Sequence, residues 1–172
     1  MLSPTSNWII PGKFIVSAMP SPDFINLSIT HGIKTIISLM EPQEEYQKNL
    51  KYRKLFLRTK AFWYSEPTFS GEIIIARVPM NRKKLSSDEY VKNIAKVIID
   101  SISLGRPVLL HCHQGRGRSM VVAAVVVGKI YGLSANESID LLRNIYKKRE
   151  IRKNKDVLSK QSKINQIKRI LG

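Results

Sequence analysis

The stretch Val108-Leu109-Leu110-His111-Cys112-His113-Gln114-Gly115-Arg116-Gly117-Arg118-Ser119 decides how this chain is read. Its first four residues make a short apolar run suited to a buried strand. From Gly117 to Tyr131 a largely apolar segment reads as a buried helix, ended by Gly132. Between them lies a loop that opens on the chain's single cysteine, contains two glycines and closes on Arg-Ser. A free thiol titrates near about 8.5, so a nucleophilic cysteine needs help to ionise at neutral pH. The loop offers three kinds of help. Successive N–H groups of a tight glycine-containing loop converge into an anion nest, and the following helix turns its positive dipole end toward it. Arg116 and Arg118 add full positive charge.

The same field suits a phosphoryl dianion. Cys112 is the candidate nucleophile and Arg118 the candidate clamp, because a guanidinium grips two oxygens at once where an ammonium cannot. His113, Gln114, Gly115, Arg116, Gly117 and Arg118 form the expected phosphate cradle, with Gly115 and Gly117 letting the backbone curl. Ser119 is expected to hydrogen-bond the sulfur and stabilise it as a leaving group. His111 is expected to orient the loop through a buried hydrogen bond rather than to act as a base.

At 172 residues the chain suits one domain, read as spanning residues 1–172. One cysteine forms no internal disulfide, so nothing points to an oxidising compartment. The first residues lack the basic and apolar stretches of a signal peptide, and no apolar run reaches the roughly 20 residues of a membrane span. The expectation is an intracellular, cytoplasmic protein, with the nucleus also open to it. Net charge is +16, and Arg143 to Gly172 holds 11 basic residues against 2 acidic ones. Such a field attracts RNA, inositol lipids or acidic proteins, or serves only as a solvated helix face. Oligomeric state is not legible.

Runs rich in β-branched residues predict strands at Lys13 to Ala18, Lys34 to Met40, Lys54 to Thr59, Glu72 to Val78 and Val108 to His111. Ser86 and Glu89 have capping-box spacing before a helix carrying Tyr90, Ile94, Val97, Ile98 and Ile102, with Gly105 ending it. Ser134 caps a further helix with Ile139, Leu142 and Ile145 as its stripe. Val157, Gln161, Ile164, Ile167 and Leu171 trace the inner side of a basic final helix over 156–170. Phe62 to Gly71 reads as a loop or small hairpin. His31 is expected to cap or pack at a helix end, and Trp63 and Tyr64 are aromatic residues for packing or for a substrate wall. Strands interspersed with helices imply an α/β fold around a mostly parallel sheet.

Val108 to Ser119 resembles the signature of the cysteine-dependent protein tyrosine phosphatases, in particular the compact dual-specificity branch. Trp8-Ile9-Ile10-Pro11-Gly12-Lys13 and His31-Gly32-Ile33-Lys34-Thr35-Ile36-Ile37-Ser38-Leu39 are similar to the opening of small members. The resemblance implies a single-domain phosphatase fold and a two-step reaction needing neither metal nor cofactor. The thiolate attacks a phosphomonoester, and the cysteinyl-phosphate is then hydrolysed.

The chain departs from the family at one catalytic position. Members carry an aspartate on a mobile loop ahead of the cysteine, which protonates the departing oxygen. Over Arg77-Val78-Pro79-Met80-Asn81-Arg82 the resemblance puts Asn81 in its place, and an amide transfers no proton at neutral pH. Three explanations stand open. Asp88 or Glu89 substitutes; or the leaving group needs no acid, as with RNA 5′-triphosphate; or the protein is a slow phosphatase or a binder of phosphorylated partners. A phosphorylated protein is the leading substrate, with RNA or a phosphoinositide as the polyanionic alternative.

Overall fold

The computed structural model describes residues 3–44, 73–151 and 157–172. Along the chain run β1 (Ser6–Ile10), β2 (Phe14–Ser17), α1 (Pro22–Thr30), β3 (Thr35–Ser38), β4 (Ile74–Arg77) and α2 (Asp88–Ser103). They are followed by β5 (Val108–His111), α3 (Arg118–Tyr131), α4 (Ala135–Lys147) and α5 (Gln161–Leu171). The sheet order is β1-β2-β5-β3-β4, antiparallel only in the β1–β2 hairpin. This is the mixed α/β architecture the sequence predicts. The expected strand over Lys54 to Thr59, the loop over Phe62 to Gly71, and Trp63 and Tyr64 lie outside the described residues.

The alternation of side chains in the central strands builds both layers. Phe14, Val16, Ile37, Val108 and Leu110 join one core cluster, which α2, α3 and α4 cover with Ile94, Ile98, Val122, Val126, Ile139 and Leu142. Ile15, Ile36 and Leu109 face the other way, onto Phe24 and Ile25 of α1. Each strand therefore serves two faces at period two. The continuous apolar runs Phe14 to Val16 in β2 and Val108 to Leu110 in β5 fit such two-sided burial.

α3 is buried along Arg118 to Gly128, because α2, α4 and α5 pack around it on the sheet. It ends where Gly132 takes a left-handed conformation, φ 65°. Its apolar length is that of a central core helix, and no single helix among the described residues is long and apolar enough to cross a membrane.

Two helix starts differ from expectation. Ser87, not Ser86, caps α2: its Oγ accepts from the Tyr90 N–H at 3.1 Å. Glu89 then sits one position too early for a capping box. The Ser86 carbonyl instead accepts from Gln166 on α5 at 2.6 Å. α5 begins at Gln161 rather than at 156, because Leu158 turns through a left-handed φ of 55° and Lys160 caps the helix in an extended conformation. Gln161 is exposed, and Gln166 takes the inner position. By contrast, Ser134 and Glu137 form a complete capping box on α4, and His31 caps α1, its Nδ1 2.8 Å from the Leu27 carbonyl.

Candidate active site

Register brings the site together. Ser17, His111 and Ser38 are partners across β2, β5 and β3, so Cys112 leaves the sheet from the carboxyl end of its central strand. Met19 N–H donates to the His113 carbonyl at 3.2 Å, which ties the loop to the end of β2. Gly115 has a φ of 62°, and a Cβ there would lie 2.5 Å from the backbone of Ser17 and Ala18. Only glycine meets both demands.

Cys112 is 3% exposed, and its Sγ lies 3.2 Å from Ser119 Oγ. Burial by itself would raise the thiol's pKa. Hydrogen bonds from the Ser119 hydroxyl, the Ser119 and Gly115 N–H groups and the charge of Arg118 outweigh it, so the net shift is downward. Removing the Ser119 hydroxyl takes away the largest of the favourable contributions. Ser119→Ala is expected to move the thiol's titration upward, read as the pH dependence of iodoacetamide alkylation of Cys112. An unchanged profile would show that the hydroxyl does not hold the thiolate.

Arg118 is 8% exposed and donates from Nη1 to the carbonyls of Leu39 (3.1 Å) and Met80 (2.8 Å). Glu44 receives Nη1 at 2.6 Å and Nη2 at 2.8 Å in a bidentate pair. Among the described residues these bonds occupy the Nη1–Nη2 edge and leave the Nε–Nη2 edge for two phosphoryl oxygens. Burial raises the Glu44 carboxyl's pKa, but Arg118, the Glu41 N–H and the charge of His113 bring it below the usual carboxylate range. Burial alone would lower the Arg118 pKa; the hydrogen bond with Glu44 and the charges of Cys112 and Glu44 outweigh it, so the net shift is upward.

A cavity of about 310 Å³ opens above the cysteine, lined by Cys112, His113, Gln114, Arg116, Gly117 and Arg118. Gln114 Oε1 accepts from Arg116 Nε at 2.8 Å and sets that side chain. His111 is wholly buried, and desolvation pushes its pKa down to about 3 against a backbone hydrogen bond with Cys112. It is a neutral support under the loop.

The loop after β4 is arranged differently from expectation. Asn81 Nδ2 donates to Glu41 at 3.0 Å, and its Oδ1 accepts the N–H groups of Lys83 and Lys84 at 2.8 Å each. Both ends of the amide are committed to holding the loop, and the residue of this loop that lines the cavity is Arg82. Asp88 offers no replacement acid, since it binds Arg169 through both oxygens at 2.8 and 2.9 Å. Glu89 lies beside it in the first turn of α2, and neither lines the cavity.

Four cavity residues were not anticipated: Leu158, Ser159, Lys160 and Lys163, all from the turn before α5 and its start. Glu44 also went unseen. Among the described residues no group of three or more His, Cys, Asp and Glu is arranged to hold a metal ion.

A buried thiol, a clamped arginine and a glycine-bent loop at a strand end form an arrangement suited to a phosphoryl group. The family model described as Tc-R-P, a polymorphic toxin system DSP-PTPase phosphatase, matches residues 12–129. This chain belongs to that phosphatase family. The structure is similar to Tk-PTP in its active form, with a TM-score of 0.71, 19% identity and 98% and 97% of the two chains covered. It is also similar to PTPMT1 in complex with PI(5)P, with a TM-score of 0.68, 16% identity and coverage of 96% and 94%. A putative tyrosine phosphatase of Invertebrate iridescent virus 3 is 24% identical over 144 residues, which is 84% of this chain. The chain spans about half, 54%, of that viral relative's length.

Proposed function

We propose that this phosphatase hydrolyses phosphomonoesters through a cysteinyl-phosphate, acting on phosphotyrosine and phosphoserine/threonine of proteins. The Cys112 thiolate attacks phosphorus, an S–P bond forms and the P–O bond to the leaving oxygen breaks. Water then attacks the phosphorus, the S–P bond breaks and Ser119 stabilises the released thiolate. The observation that carries this reading is the 3.2 Å contact of Cys112 Sγ with Ser119 Oγ at the foot of a cavity that Arg118 also lines. The described lining residues include no carboxylate. With no carboxylate among them to protonate the departing oxygen, a phenolate (phenol pKa about 10) leaves more readily than a serine alkoxide. A second reading is favoured by Arg82, Arg116, Lys160 and Lys163 on the cavity wall. It takes polyanionic substrates, an RNA 5′-triphosphate end or an inositol phospholipid.

The test is phosphate release from a phosphotyrosine peptide, a phosphoserine peptide, triphosphate-ended RNA and inositol phospholipid vesicles, with acid quenching and mass analysis of the Cys112 peptide. The expected result is a phosphoryl adduct on Cys112, with phosphotyrosine turned over faster than phosphoserine. Turnover without any adduct would sink the covalent route. Release confined to RNA or lipid would replace the protein substrate with the polyanionic one.

A further inference from the structure

We propose that Lys160 and Lys163, at the start of α5, form a subsite for a second phosphate on the substrate, beside the one held over Cys112. The inference rests on the phosphomonoesterase reading of Cys112 and on the polyanionic of its two substrate classes. Its chemistry is a small scaffold carrying two phosphomonoesters, either free in solution or as a lipid headgroup.

α5 lies beyond residues 12–129, so these lysines fall outside the stretch that the family model matches. They are also firmly placed. Ile167 is buried in the main core, Gln166 bonds the Ser86 carbonyl and Asp88, and Arg169 pairs with Asp88. Arg143 on α4 reaches the Leu158 carbonyl at 3.4 Å. Leu158 itself holds the left-handed φ of 55°, unusual for a branched side chain, and so swings Ser159 and Lys160 to the cavity wall.

Lys163 points inward. A Cβ on Gly117 would come within 2.7 Å of its Nζ, which puts the ammonium against the phosphate loop. Its surroundings are unsuited to a lysine with no ligand: burial lowers its pKa, as do Lys160, Arg118 and Arg116, against the favourable charge of Cys112 alone. Arg118 meets its charge in Glu44, but no carboxylate among the described lining residues meets Lys160 and Lys163. Arg118 and the loop N–H groups already serve one phosphoryl group over Cys112, so the charge of Lys160 and Lys163 on the same cavity wall exceeds what that group needs. At about 310 Å³ the cavity reaches the lower bound of small-molecule sites, which is ample for a phosphate with a further anionic group attached.

The experiment uses the full chain and measures affinity by calorimetry for inositol monophosphate and an inositol bisphosphate at one fixed ionic strength. Hydrolysis of para-nitrophenyl phosphate is followed in parallel. The wild type is expected to bind the bisphosphate about tenfold or more tightly than the monophosphate, the scale of one lost charged contact. Lys163→Gln and Lys160→Gln together are expected to bring that ratio near one, while Lys168→Gln, exposed and away from the cavity, leaves it unchanged. Vesicles bearing mono- and bisphosphorylated inositol lipids separate the sources, since a headgroup substrate shows the same lysine-dependent preference at the membrane. Equal affinity for one and two phosphates in the wild type would overturn the subsite. So would an equal loss for both ligands in the lysine variants, which would mark only a general field. Continued hydrolysis of para-nitrophenyl phosphate in those cases leaves the cysteinyl-phosphate reading standing, whereas its absence with the binding preference intact would remove that reading alone.

Discussion

Cys112→Ser is expected to abolish phosphate release from every substrate, by more than about 10³-fold on para-nitrophenyl phosphate, the scale seen when a nucleophile is removed. The substitution exchanges one small buried side chain for another at a 3% exposed position, so the loop and the surrounding core stay in place. What it removes is ionisation. The Ser119 hydroxyl, the Gly115 and Ser119 N–H groups and Arg118 together bring a thiol below its ordinary pKa despite burial. The same groups acting on a hydroxyl, whose pKa is far higher, leave it protonated and poorly nucleophilic. Binding is the control: the serine variant retains the cradle and is expected to bind inorganic phosphate. A variant with turnover within tenfold of wild type would mean that another group attacks phosphorus.

The parts of this site legible in the sequence are those carried by consecutive residues. Val108 to Ser119 holds a strand, a bent loop and a helix start, and each has a local cause. The apolar run is buried on two faces, Gly115 takes a backbone conformation other residues avoid, and the helix starts just after Gly117 at its N-cap. The pieces that escaped are set by distant contacts. Glu44 meets Arg118 across 74 positions, and Lys163 reaches Gly117 only because α5 folds back over the start of α2. No periodicity reports such pairings. Asn81 illustrates a different loss. Position along a resembling loop suggested which residue faces the substrate, but Glu41 captures that amide and presents Arg82 to the cavity instead. A one-residue change in which side chain points inward exchanges the expected site of a proton donor for a permanent cation.

Arg118→Lys is expected to lower kcat/KM on para-nitrophenyl phosphate by about 10²–10³-fold, the range for removing a preorganised donor to developing charge. Lysine keeps the charge but not the fork. It cannot hold Glu44, Leu39 and Met80 on one edge while offering two parallel N–H groups to a phosphoryl on the other. Glu44→Gln tests the same geometry from the opposite side. An amide presents one acceptor and one donor, so one of the two bonds to the guanidinium becomes an N–H facing an N–H, and the arginine loses its fixed orientation. A fall smaller than that of Arg118→Lys is expected, about ten- to a hundredfold. Because Glu44 acts through Arg118, adding Glu44→Gln to Arg118→Lys should cost little more than Arg118→Lys alone, a coupling typical of groups in direct contact. Additive losses would mean that Glu44 serves the reaction independently of the arginine. The pH profile offers a further check, since the Glu44 carboxyl is held below its ordinary pKa of 4.5. In the wild type the pair therefore keeps its charge down through that value, and loss of activity through Glu44 protonation sets in only at lower pH. An acidic limb that Glu44→Gln leaves in place belongs to another group, the Cys112 thiol or the substrate's own phosphate, whose second pKa is about 6.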